Sequence, residues 1–125
     1  MRLALAATAL LFAGLCQVAD ARADEDWSSH LKVSAVSKDG KVKVVAEGAD
    51  GWFVNTAFNF KVAFVKGAKG ELTKADAKLE GEKDGKAKRA VFETKADGKV
   101  EGTYKIVICS PSACSPPLKG NFASQ

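Results

Sequence analysis

The Asp-Gly dipeptide recurs four times along this chain, and it constrains the fold more than any other local feature. The pairs are Asp39-Gly40, Asp50-Gly51, Asp84-Gly85 and Asp97-Gly98. Each pair lies between apolar or alternating segments, and Asp-Gly supplies the positive φ angles that tight hairpin turns need. Frequent hairpins predict an all-β chain.

Segments with alternating apolar and polar residues separate these turns. Residues 31–36 and 41–44 predict a first hairpin, and further strands are predicted at 58–64, 87–94 and 100–109. Thr73 and Asp76 have the spacing of a helix-capping box, which predicts one helical turn. Six to eight short antiparallel strands are typical of a β-sandwich, with a barrel as the alternative.

The predicted core is clearest in the 58–64 segment. One face of that strand would carry the apolar side chains, namely Phe58, Phe60, Val62 and Phe64. Val100, Tyr104, Ile106 and Ile108 form a second apolar face in the 100–109 segment. We expect the two faces to meet in one core.

The first residues predict a signal peptide at 1–23. Arg2 precedes an apolar run at 3–15, and small residues follow up to Ala23, where cleavage is expected. The run is too short for a stable membrane anchor, so the mature chain is expected to be soluble, without a membrane span, and periplasmic or secreted. A lipidated Cys16 is the alternative, although the bulky Leu15 before it disfavours this modification.

Composition predicts one domain at residues 30–125, after a flexible lead-in at 24–29. The 125 residues are 46% hydrophobic and 27% charged, which is ordinary for a globular protein. Removing Arg2, Arg22 and Asp20 with the signal peptide leaves a net charge of +3, which is no nucleic-acid signature. Hydrolase and nucleotide motifs are absent from the sequence. We expect no nucleic acid, no cofactor and a monomer.

Cys109 and Cys114 are the two cysteines that remain after signal cleavage, and an oxidising compartment predicts a disulfide between them. Pro111 can lead a type I turn in the four residues between them, which would set the cysteines opposite each other. Closing so short a loop contributes only about 2 kcal/mol to the stability of the fold, so the disulfide is expected to stabilise the protein weakly. His30 is far away in sequence and one histidine makes a poor zinc site, so no metal is expected. A structural clip and a redox site both remain open.

The segment 104–117, with Cys109, Cys114 and the following Pro116-Pro117, resembles the N-terminal periplasmic domain of the DsbD thiol:disulfide interchange family. Residues 51–55 and 58–64 are also similar, so the resemblance spans about 30–123. It differs in a loop one residue shorter and in Ser115, where the family has an aromatic residue.

That resemblance implies an immunoglobulin-like β-sandwich in which Cys109 and Cys114 pass electrons between a membrane redox protein and thioredoxin-like partners. The predicted function is therefore periplasmic thiol-disulfide exchange, as in an oxidoreductase-like protein. A non-catalytic immunoglobulin-like binding module, in which the disulfide is structural, is the alternative.

Overall fold

The computed structural model of the chain describes residues 26–124. The predicted signal peptide, 1–23, and Cys16 lie outside the described residues. Eleven β-strands and two short 3-10 helices make up the described part, which confirms the all-β prediction. The strands are β1 (Leu31–Lys38), β2 (Lys41–Gly48), β3 (Phe53–Asn55), β4 (Lys61–Lys66), β5 (Glu71–Thr73), β6 (Lys78–Glu80), β7 (Lys86–Ala87), β8 (Arg89–Lys95), β9 (Glu101–Ile106), β10 (Ile108–Cys109) and β11 (Leu118–Ala123).

The strands form two four-stranded antiparallel sheets and a small third one. We call β1-β2-β8-β6 the first sheet, β11-β9-β4-β5 the second sheet and β10-β3-β7 the small sheet. Their inner faces enclose one core, in which Phe60 and Phe92 meet edge to face with ring centroids 5.9 Å apart. The architecture is an immunoglobulin-like β-sandwich, as predicted, and the separate sheets exclude a closed barrel.

Three of the Asp-Gly pairs lie in turns and Asp97-Gly98 lies at a bend, and the four pairs use two backbone conformations. Asp39 and Gly40 have φ angles of 53° and 77°, and Asp84 and Gly85 have 54° and 77°, so both residues are left-handed in these two turns. This is the pattern of a type I′ hairpin turn, whose twist matches that of the flanking strands. In the other two pairs only the glycine has a positive φ.

The predicted core strand at 58–64 begins later than expected. The Phe60 N–H donates to the Phe58 carbonyl at 2.9 Å, and this bond between residues two apart curls the chain before β4 starts at Lys61. Phe60 and Val62 are nevertheless fully buried, and Phe58 and Phe64 pack against the edge of the same core. The predicted core face is therefore confirmed.

The opposing face at 100–108 is also confirmed. Val100, Ile106 and Ile108 are fully buried, and Tyr104 packs partly buried against them. The segment is split, however, because β9 belongs to the second sheet and β10 to the small sheet. The chain crosses from one sheet to the other at Val107, and this crossing carries it to the cysteines.

Two short 3-10 helices complete the described chain. Lys74–Asp76 is the predicted helical turn, and the Asp76 carboxylate accepts the Thr73 N–H at 2.9 Å. Within the predicted flexible lead-in, residues from Trp27 onward form the helix Trp27–His30, and Trp27 packs edge to face on Trp52. Over residues 26–124, none of the helices has the length and apolar character needed to cross a membrane.

Candidate functional site at the cysteine loop

Cys109 and Cys114 form a disulfide at the edge of the small sheet. Cys109 ends β10, where its backbone pairs with Phe53 of β3 on one side and with Cys114 on the other. The two cysteine Cα atoms are 3.9 Å apart, which confirms that the loop sets them opposite each other. The structure thus brings the two predicted site residues together.

A serine hydroxyl organises the loop between the cysteines. The Ser110 hydroxyl accepts the N–H of Ser112 at 3.3 Å and that of Ala113 at 3.2 Å. The Ser110 N–H also donates to the Ala113 carbonyl at 2.7 Å. Pro111 lies at the bend, as predicted, but the hydroxyl takes the place of the carbonyl acceptor that a type I turn would use.

Ser115 fastens the far side of the loop to β10. Its N–H donates to the Ile108 carbonyl at 2.8 Å, and its hydroxyl accepts the Ile108 N–H at 3.1 Å and donates to the Pro116 carbonyl at 2.8 Å. Ser115 is only 6% exposed, so these bonds are shielded from water. Ser115 thus provides hydrogen-bond partners for both backbone groups of Ile108. The sequence analysis did not predict this role, because the sequence pattern does not show that residue 115 lies opposite residue 108.

The two cysteines differ sharply in accessibility. Cys109 is 1% exposed, whereas Cys114 is an exposed residue. Ile106 and Ile108 belong to the sandwich core, while Val107 and Cys109 are buried outside it, on the other side of the strand. An incoming thiol can therefore approach the disulfide from the Cys114 side.

The aromatic residues next to the small sheet point in different directions. Trp52 packs against the sandwich core, where the ring of His30 stacks on it with centroids 4.4 Å apart. Phe53 is half-buried outside that core, and as the cross-strand neighbour of Cys109 its side chain leaves β3 on the cysteine side.

The site contains neither an acid–base partner nor a metal cluster in the described chain. No hydrogen bond within residues 26–124 joins His30 to either cysteine, and no three His, Cys, Asp or Glu side chains there are grouped to hold a metal ion. The chemistry that two bonded sulfur atoms support by themselves is exchange of the disulfide with an external thiol.

Comparison with known proteins gives a likeness among solved structures. No protein-family model matches the chain, and no curated protein does. Among solved structures it is similar to the DsbD N-terminal domain of Neisseria meningitidis in the reduced form, with 18% identity and a TM-score of 0.41 over 78% of this chain and 93% of that chain. That domain belongs to the family that residues 104–117 resemble.

Proposed function

We propose that this chain is a periplasmic thiol-disulfide exchange domain that acts through Cys109 and Cys114. The observation that carries the proposal is the asymmetry of the disulfide, in which an exposed Cys114 is joined to a buried Cys109 across a loop of four residues. Exposed disulfides are the ones that exchange, whereas structural ones are shielded.

The exchange proceeds in two balanced steps. A partner thiolate attacks Sγ of Cys114, the Cys109–Cys114 bond breaks, and Cys109 leaves as a thiolate while Cys114 holds the partner in a mixed disulfide. A second thiolate of the partner then attacks the partner's own sulfur and releases Cys114. The partner is oxidised to a disulfide, and this pair gains two electrons. In the reverse direction Cys114 attacks and Cys109 resolves the mixed disulfide.

The loop supports this chemistry because its shape does not depend on the sulfur bond. The Ser110 hydroxyl holds the bend, and Ser115 holds the return strand against Ile108. Closing six residues contributes only about 2 kcal/mol to stability in the chain-entropy model. Reduction therefore leaves the sheet folded and the two thiols close together. Thioredoxin-like proteins and membrane thiol-disulfide proteins are the partner classes that fit such a pair.

The reduction potential of the pair tests the proposal. Equilibrating the purified protein with defined redox buffers should give a potential above the region of roughly −300 mV and below that marks structural disulfides in secreted proteins. A potential deep in that region would overturn the exchange proposal and leave the binding module with a structural disulfide in its place.

Two single-cysteine variants test the assigned roles. In Cys109→Ala the exposed Cys114 thiol should react faster with the neutral reagent 2,2′-dithiodipyridine than the buried Cys109 thiol does in Cys114→Ala. Cys109→Ala should also trap a thioredoxin-like protein as a mixed disulfide more readily. Circular dichroism of both variants checks that each is folded. Faster reaction of Cys109 would reverse the assignment of the attacked sulfur.

A further inference from the structure

Three lysines lie side by side on the outer face of the second sheet. Strand register places Lys61 of β4 opposite Lys105 of β9, and Lys105 opposite Lys119 of β11. Directly opposed residues on one face have Cβ atoms about 4.5–5.5 Å apart. We call Lys61, Lys105 and Lys119 the lysine row.

The lysine row is not explained by stability. Like charges directly opposite each other destabilise a sheet. Lys61 is paired with Glu71 at 3.2 Å, but within residues 26–124 neither Lys105 nor Lys119 makes an ion pair. The fold thus carries two adjacent uncompensated cations.

One part of the outer face of the first sheet shows the opposite arrangement. There Arg89 bridges Glu47 at 3.2 Å and Glu80 at 3.4 Å, so a cation lies between two carboxylates across neighbouring strands. Cross-strand charge compensation is thus present around Arg89, whereas Lys105 and Lys119 have no such partner within residues 26–124.

The lysine row lies on the cysteine side of the strand that leads to the disulfide. Tyr104, Ile106 and Ile108 contact the core, so the intervening Lys105, Val107 and Cys109 leave the strand on the other side. Four residues of extended chain span at most about 14 Å, which bounds the Cα distance from Lys105 to Cys109. Lys119 follows Cys114 by five residues.

The surface around the lysine row is concave and offers hydrogen-bond donors. A shallow depression of about 610 Å³ is lined by the three lysines together with Thr103 and Asn121, and its lining contains no acidic residue. Such a surface is complementary to carboxylates that protrude from a protein.

We propose that the lysine row binds an acidic patch next to the reactive thiol of the redox partner, and so positions that thiol for attack on Cys114. The inference rests on the proposed exchange function and names the kind of partner that function requires. Opposite charges placed beside a reactive site raise the association rate and fix the orientation of the encounter.

The test compares peptide reductants that differ only in charge. Each peptide carries one cysteine, which is flanked by four glutamates, four glutamines or four lysines. The rate at which each peptide attacks the Cys109–Cys114 disulfide is divided by the rate at which the same peptide reacts with neutral 2,2′-dithiodipyridine. This division removes the effect of the flanking charges on thiol reactivity. At low salt the acidic peptide should be about tenfold faster than the neutral one. In about 1 M salt the difference should disappear, because the Debye length then falls to roughly 3 Å.

The chain offers a matched control row. Lys38, Lys41 and Lys95 also lie in register across three strands, in the first sheet. These three lysines lie beside the Asp39-Gly40 turn, where the Gly40 carbonyl accepts the Ala96 N–H. This turn is at the end of the sandwich where β9 begins, whereas the lysine row lies where β9 ends. The triple variant K61Q/K105Q/K119Q should lose the preference for the acidic peptide, and K38Q/K41Q/K95Q should keep it.

The outcomes separate the two proposals. If dithiothreitol and the neutral peptide reduce the disulfide but the acidic peptide has no advantage, the lysine-row proposal is overturned and exchange stands. If no thiol reduces the disulfide, the exchange proposal is overturned. NMR titration with a cysteine-free acidic peptide then tests the lysine row by itself. A lack of chemical-shift changes at Lys105 and Lys119 would overturn the lysine-row proposal as well. Single variants K105Q and K119Q replace the triple variant if it does not fold.

Discussion

The sandwich core and the cysteine loop are held together by different forces. In the core, Phe60, Phe92 and Ile106 are completely buried and interlock between the sheets. In the loop, the residues 111–114 are exposed, and its shape comes from hydrogen bonds of Ser110 and Ser115. Stability is thus concentrated away from the disulfide, and we expect the fold to persist when the sulfur bond is opened.

The largest expected effect is in the core. Phe92→Ala removes a fully buried ring that contacts Phe60, and it should lower the free energy of unfolding by about 3–5 kcal/mol. Urea denaturation measures the loss. Phe53→Ala is the matched control, because Phe53 is half-buried outside the core and should cost clearly less. Equal losses would contradict the contrast between core and loop.

Reduction of the disulfide should have an intermediate effect. Unfolding by urea with and without a phosphine reductant should differ by about 2 kcal/mol, because the bond closes only a short loop. The reduced protein should keep a single cooperative transition and its circular dichroism spectrum. A reduced protein that is unfolded in buffer would show instead that the disulfide holds the sandwich together.

Ser115→Ala should have the smallest effect of the three. The substitution leaves the buried Ile108 N–H without its hydroxyl acceptor, which should cost about 1.5 kcal/mol in urea denaturation. Ser112→Ala is the control, since the Ser112 hydroxyl is exposed and only approaches that of Ser110 at 3.4 Å. If Ser112→Ala destabilises the protein as much as Ser115→Ala, the assigned role of Ser115 is wrong.

The sequence predicted what depends on local pattern. The turns at Asp39-Gly40 and Asp84-Gly85 could be predicted because few other dipeptides adopt two successive positive φ angles. The burial of Phe60 and Val62 follows from alternation, which needs no knowledge of the partner strands. The delayed start of β4 was missed, since it depends on one backbone bond between Phe60 and Phe58.

The sequence did not predict what depends on register between distant strands. Lys61, Lys105 and Lys119 are far apart in the chain, and only the pairing of β4, β9 and β11 aligns them. The role of Ser115 was hidden for the same reason, because its partner Ile108 is set by the path of the loop. The unequal burial of Cys109 and Cys114 also required the folded structure.

The way Ser115 returns to β10 also bears on how this protein avoids aggregation. β10 is an edge strand of the small sheet, and a free edge presents unpaired N–H and C=O groups that can recruit a strand from another molecule. Here both Ile108 groups are occupied by Ser115 of the same chain. Because this cover consists of hydrogen bonds and not of the sulfur bond, we expect the edge to stay protected against strand recruitment in the reduced protein as well.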